Sequence, residues 1–461
     1  MTSVSIEQFG ARSNSNELQT RYIQEAIDYV YSKGGGEVII PEGVFLTGDI
    51  RIRSRIKLHL LKNAVLQGSR NPEHYFNYRD DKIEPLDPEE ITDAPYVHVS
   101  TIENEMEYIE NRPEYRFKRL PGSRWNNAII RAIDAHDIEI IGEENSVIDG
   151  NNCFDAIGEE DYRGPHGMAF FRCSNIKLSG YTLRDAGNWA HHLLFCKNIE
   201  VEGITVLAGH DGFDAAACQN LYIAGCEFYT GDDCIAGFSN MNVYVTGCVL
   251  NSSCSAMRFG GTNVLVEKCN IYGPGKYNFR GSLSDEEKRA SAPSNMSGGR
   301  NNMLSAFTYF SDFSLPVKVQ PGNIEVVDCV IENADRFIHY NFSGNETWQK
   351  NRPLKNIEFR NIKATNVSMP LTFYGDEELK ASLTLRNVSL NLREGFTNID
   401  LVHACNYKDI IFDHVNIDNY EGNALVKVWS DGNVEFHELQ CCVDEEHYVV
   451  NAKEEFYASP I

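Results

Sequence analysis

The 461-residue chain lacks any run of 18 or more apolar residues, which excludes a membrane-spanning helix. Its first residues, Met1-Thr2-Ser3-Val4-Ser5-Ile6-Glu7, hold no basic segment leading into an apolar one, so no export signal is expected and the chain reads as cytoplasmic. Positive charge is scarce: 42 Lys and Arg stand against 66 Asp and Glu, a formal net charge of -24. That excess repels a phosphate backbone over most of the surface, so neither nucleic acid nor a membrane is an expected partner. A Gly-rich phosphate loop, a Gly-x-Ser-x-Gly elbow and a zinc signature are also missing, and no cofactor or metal is expected.

The 13 cysteines have neither CxxC spacing with a matching partner nor the small secreted context of a disulfide framework. They carry a period instead. Cys173, Cys196 and Cys218 are 23 and 22 residues apart, and Cys226, Cys248 and Cys269 are 22 and 21 apart. Buried, reduced thiols stacked at one position of successive repeats fit that spacing. Hydrophobic residues at 42%, with 11% aromatic, are enough to line the core such repeats need.

A short phrase recurs with the same period. Ser174-Asn175-Ile176-Lys177-Leu178-Ser179-Gly180 is followed by Lys197-Asn198-Ile199-Glu200-Val201-Glu202-Gly203, then Gln219-Asn220-Leu221-Tyr222-Ile223-Ala224-Gly225, with further copies at Asn242 and Asn263. Apolar and polar residues alternate within each phrase, which marks a strand with one face inward. The Asn positions step by 23, 22, 22 and 21, too short for a strand plus a packed helix and suited to one coil of a β-solenoid. An Asn at a fixed corner tolerates left-handed backbone and bonds the rungs above and below. Looser echoes near Asn323, Asn356, Asp409 and Asn433 extend the pattern over most of the chain.

The expected organisation is a single all-β solenoid domain over residues 1–461, with residues 1–36 as its amino-terminal cap. Within that cap, Leu18, Tyr22, Ile23, Ala26, Ile27 and Val30 form a helical stripe over residues 17–31, stopped by Gly34-Gly35-Gly36. Residues 70–125 and 274–301 break the period and are expected to wall a groove, because loops inserted into repeats gather on one face. Residues 444–461 read as a charged tail.

Two segments about one period apart carry the chemistry: His210-Asp211-Gly212-Phe213-Asp214 and Gly231-Asp232-Asp233-Cys234. Asp211 and Asp232, 21 residues apart, are expected at nearly the same position on adjacent coils, about 4.8 Å from each other. Carboxylates that close cannot all stay ionised, so one pKa rises and the site gains a proton donor beside a base. Glycosidic hydrolysis needs that pairing. A single Asp-Gly is only a turn marker. Consecutive Asp232 and Asp233, however, would point to opposite faces of a regular strand, and nothing structural asks for both.

These residues resemble the polygalacturonases, glycoside hydrolase family 28. Phe9-Gly10-Ala11, Val38-Ile39-Ile40-Pro41-Glu42-Gly43, Phe45-Leu46-Thr47-Gly48, Ile148-Asp149-Gly150, Gly187-Asn188-Trp189 and the two acidic segments fall in the family's order across about residues 9–261. The resemblance implies a right-handed parallel β-helix and an inverting hydrolase, with Asp232 as general acid and Asp211 and Asp233 activating water. Two departures stand out. The family's catalytic His falls on Cys254, and its uronate-gripping Arg-x-Lys pair falls on Asn302-Met303-Leu304-Ser305-Ala306, which holds no base.

Glycosidase chemistry with altered sugar recognition is the reading that follows, acting on a pectin-like or related oligosaccharide, with exo action expected. Arg258, one coil past the paired Asp, is the preferred replacement for the missing sugar grip, with Lys276, Arg280 and Arg300 as further candidates. His210, His192, Asp214, Cys254 and Trp189 complete the expected substrate-binding set. A β-helical lyase or epimerase acting on uronates is the alternative enzyme class, and a non-catalytic carbohydrate-binding solenoid the alternative outside enzymes.

Overall fold

A computed structural model of the chain describes residues 2–75, 123–290, 298–310, 320–342 and 353–456. Every strand-to-strand pairing among the named strands is parallel, and the described strands join into one continuous network. Parallel strands joined by connections this short cannot lie flat; the chain winds, and the right-handed crossover rule sets its hand. The architecture is the right-handed parallel β-helix.

Each coil is built from the recurrent phrase. Asn175, Asn198, Asn220, Asn242 and Asn263 have φ between 54° and 57°. Each side-chain amide from Asn198 onward donates to the previous Asn Oδ1, at 3.0, 2.9, 3.0 and 3.2 Å. The glycine that closes the phrase sits at a second left-handed corner, with φ of 58° at both Gly203 and Gly225. Between these corners the alternate apolar residues point inward and form one core along the axis. All 13 cysteines are unpaired thiols, and Cys173, Cys196 and Cys218 fall on adjacent rungs.

The capping helix runs Thr20–Ser32, starting three residues later than the stripe suggests, and buries Ile23, Ala26, Ile27 and Val30 against the first coil. At the other end, residues 444–461 are not simply a tail. Val449–Asn451 pairs in parallel with Val426–Val428 and adds a further rung, because Val449 and Val450 resume a strand pattern after a polar turn.

One of the helix's sheets forms the floor of the candidate site. Its outward column, read rung by rung, is Arg131, Ala169, His192, Asp214, Ala236, Arg258 and Thr308. The chain neighbours of His192, Asp214 and Arg258 face the core, so period-two alternation turns these three side chains out. Residues 274–290 lie along one side of this floor as a strap. The strap starts where the Lys276 amide donates to Asn251 Oδ1 and passes Gly209, whose carbonyl accepts from the Arg280 amide. It ends where Asn152 and Arg70 donate to the Ala290 and Arg289 carbonyls. Residues 274–290 and 298–301 are the described part of the segment expected to wall a groove. Residues 76–122, most of the other expected wall, lie outside the described residues, as do 291–297.

Candidate active site

The turn entering the floor sheet supplies the acid groups on successive coils. Residues 231–234 lie between the strands Glu227–Thr230 and Ile235–Thr246 and are not themselves strand, so Asp232 and Asp233 escape strict alternation and reach the same side. Gly231 is required there, since a Cβ would lie 2.2 Å from the Asn278 carbonyl of the strap and 2.6 Å from that of Gly209. The Asp232 carbonyl is held by Thr230 Oγ1 at 2.7 Å and Ser252 Oγ at 2.6 Å, which fixes the bend.

The register differs by one residue from the sequence expectation. Phe213 pairs with Ile235, and the Gly212 amide donates to the Asp233 carbonyl, so Asp211 shares its column with Asp233 and not with Asp232. The Asp233 amide donates to Asp211 Oδ1 at 3.2 Å, and the Ser255 amide donates to Asp233 Oδ1 at 3.1 Å. Asp232 is the half-buried member, whereas Asp211 and Asp233 are 6% and 1% exposed. Ligand atoms of Asp232, Asp233 and Cys254 lie within 4.8 Å of one another, a spacing that a divalent cation would also fit.

Burial and mutual repulsion set the charge of this cluster. Desolvation, then the charge of Asp232, pushes the Asp233 carboxyl up to about 7, against the opposing pull of Arg258 and the Ser255 bonds. Asp211 is driven well above the carboxylate range by burial and then by Asp232, Asp233 and Asp214, with Arg163 opposing. The Cys254 thiol is raised for the same reasons, burial first, then Asp233 and Asp232. The cluster thus holds on to protons near neutral pH, the condition for an acid and a base in one site.

The expected sugar-contacting residues divide. His192 is on the floor, its Nδ1 3.1 Å from Asp214 Oδ1, while His191 faces inward and bonds the Gly212 carbonyl and the Tyr181 hydroxyl. Arg258 is half-buried one rung beyond Ala236, with its guanidinium 4.0 Å from the Phe310 ring centroid. Trp189 is half-buried in edge contact with Trp125 and His192. His210 is fully buried and stacked on Tyr162, and neither ring nitrogen has a hydrogen-bond partner among the described residues. Arg280 is not a groove-lining group. It is fully buried, with Nη1 donating to the Gly187 carbonyl at 2.8 Å and Nη2 to that of Lys288 at 3.3 Å, and it pins the strap.

Sequence reasoning missed Tyr162, Arg163, Trp125 and His166. Arg163 donates to Asn188 Oδ1 at 3.1 Å and lies beside both Tyr162 and Trp125. The Trp125 and His166 rings meet edge to face with centroids 5.4 Å apart. None of the four belongs to a repeated phrase, and only the neighbouring Gly187-Asn188-Trp189 pointed to that coil.

The chain matches, over residues 117–255, the family model described as Glycosyl hydrolases family 28. It is 26% identical over 214 residues to a probable polygalacturonase of Vitis vinifera, covering 45% of this chain and 37% of that protein. It is 39% identical over 72 residues to an exo-poly-alpha-D-galacturonosidase of Dickeya chrysanthemi, 16% of this chain and 12% of the relative. The chain therefore matches well under half the length of either. Among solved structures, the hyperthermoactive exopolygalacturonase from Thermotoga maritima superposes with a TM-score of 0.59 at 17% identity, over 89% of this chain and 92% of that one. The family 28 exopolygalacturonase of Yersinia enterocolitica gives 0.53 at 17%, over 97% and 77%. Both comparisons share the fold.

Proposed function

We propose that the chain hydrolyses glycosidic bonds at the end of a pectin-like oligosaccharide, with inversion at the anomeric carbon. The observation that carries this reading is the clustering of Asp211, Asp232 and Asp233 on two adjacent turns, with Asp233 raised to about 7. Asp232, the most accessible of the three, passes a proton retained by the cluster to the leaving glycosidic oxygen as the carbon–oxygen bond breaks. Asp211 and Asp233 hold a water on the opposite face, and its oxygen bonds to the anomeric carbon while its proton passes to a carboxylate. Arg258, beside Asp233, steadies the sugar and offsets the carboxylate charge.

Exo action is supported by what lies upstream of Asp211. His166, His210 and Trp125 fill that end and are 0%, 0% and 6% exposed, with the strap pressed along the turns beside them. Downstream, the floor column continues past Arg258. A chain end stops against that filled side.

The test compares wild type with Asp232→Asn on neutral and uronic oligosaccharides, following reducing ends, ultraviolet absorbance and anomeric configuration together. Release of new reducing ends without an absorbing product, lost in the variant, is expected. Turnover unaffected by the substitution overturns the mechanism, and an ultraviolet-absorbing product replaces hydrolysis with elimination.

A further inference from the structure

Two columns of side chains leave the carboxylates toward the carboxyl-terminal coils. Along the floor, Arg258 is followed by Thr308, His339 and Thr372 on successive rungs. Beside it, the column of Asp233 continues through Ser255 and Ser305 to Arg336. Arg336 is half-buried and has no carboxylate partner among the described residues. Its Nη1 lies 3.4 Å from His339 Nδ1, and its buried Nε has no partner among them.

No neighbouring carboxylate bonds Arg336 among the described residues, although the charge of Asp335 acts on it. Asp335, adjacent in sequence, already accepts from Asn302, from Ser368 at 3.1 Å and from Arg393 at 3.2 Å. His339 bonds Thr372 Oγ1 and stays neutral, since burial, then Arg336 and Arg258, pushes it down to about 3. A partly desolvated guanidinium left without an anion is costly. In a chain with 66 acidic residues against 42 basic ones, a partner from the protein was abundantly available. A planar, half-buried fork of donors without a carboxylate bonded to it suits a carboxylate brought by a ligand.

We propose that Arg336, with His339 and Thr372 beside it, forms a distal subsite for the carboxylate of a uronate unit lying beyond the bond being cleaved. The inference rests on the hydrolase reading and specifies its substrate. Arg336 stands three rungs from Asp233, about 14 Å along the axis at the usual strand spacing. The sugar it contacts is therefore not the reacting one, and its contribution depends on chain length.

The experiment measures initial rates of wild type and Arg336→Gln on galacturonate oligomers from dimer to pentamer, as free acids and as methyl esters. KM of the variant is expected to rise least for the dimer and about 10- to 100-fold for the longest free acids, with the wild-type preference for free acid over ester lost. Arg336→Lys should restore part of that preference. An unchanged length dependence and ester preference in Arg336→Gln overturns the subsite while leaving the hydrolase reading intact. Should wild type cleave no uronate, the pectin-like substrate of the hydrolase reading is overturned instead. The subsite is then decided by calorimetric binding of tetragalacturonate to Asp232→Asn, with and without Arg336→Gln. Binding weakened by the second substitution supports the subsite, and equal or absent binding overturns it. Thermal melting of each variant checks that the fold is intact.

Discussion

The Asp233 amide donates to the Asp211 carboxylate at 3.2 Å, so one candidate catalytic acid fixes the turn that presents another. The same bond holds two carboxylates one rung apart in a buried place, which is why protons stay bound there at a pH where free Asp has lost them.

Stability should fall as pH rises because of that site. The Asp233 carboxyl titrates at about 7 in the folded chain and near 3.9 when unfolded, so between these values the folded state binds more protons. Its stabilising contribution is complete below about pH 4 and is lost as pH climbs through 7. Asp185, also raised to about 7 by burial and by Asp149, acts in the same direction. Asp233→Asn should flatten the slope and stabilise the protein at pH 7.5 by about 1–3 kcal/mol. Melting curves from pH 4.5 to 8 decide this, and parallel slopes for the two proteins would refute it.

Activity should follow the shared proton. As pH rises above about 7 the cluster loses it, so kcat/KM is expected to decline on the alkaline side. Asp211→Asn and Asp232→Asn should each lower kcat about 10²- to 10⁴-fold with circular dichroism unchanged. A pH profile flat through 7 to 9, or full kcat in either variant, contradicts the catalytic roles of these carboxylates.

Arg280 tests the strap. Its guanidinium joins the Gly187 carbonyl to the Lys288 carbonyl of the strap, and its removal forfeits both hydrogen bonds and the packing of a fully buried side chain. Arg280→Ala is expected to cost about 2–4 kcal/mol and to expose residues 274–290 to proteases. Products should also shift from single sugars toward mixed lengths. Unaltered proteolysis and an unaltered product pattern would show that the strap does not depend on this anchor.

The Asn ladder separates backbone strain from hydrogen bonding. Asn220, with φ of 56°, donates to Asn198 and accepts from Asn242. Asn220→Ala forfeits both bonds and places a Cβ residue in left-handed geometry, a loss of about 2–3 kcal/mol. Asn220→Gly forfeits the bonds alone and should lose less. Chemical denaturation compares the two, and equal losses would mean that the left-handed corner carries no penalty.

Much of the architecture was legible because it repeats. Alternation within Lys197-Asn198-Ile199-Glu200-Val201 declares a strand, and the Asn steps of 21 to 23 residues declare the coil. The site was legible only up to its register. Counting 21 residues paired Asp211 with Asp232, whereas the strand pairing Phe213 to Ile235 advances 22 and brings Asp233 alongside. Residues 231–234 form a bend, where side-chain direction no longer follows position number. Arg336 was out of reach by counting, since the inserted loops place Ser255, Ser305 and Arg336 at intervals of 50 and 31 residues although they share a column.

Periodic composition alone determined that this chain winds into a β-helix and gathers acidic groups on neighbouring turns, because hydrophobic alternation and left-handed corners are local properties of each coil. Which carboxylates adjoin, which arginine lies beside them and which serves as an anchor was decided by the tertiary structure. Strand register and the path of the strap depend on contacts between residues far apart in sequence, and no local pattern encodes them.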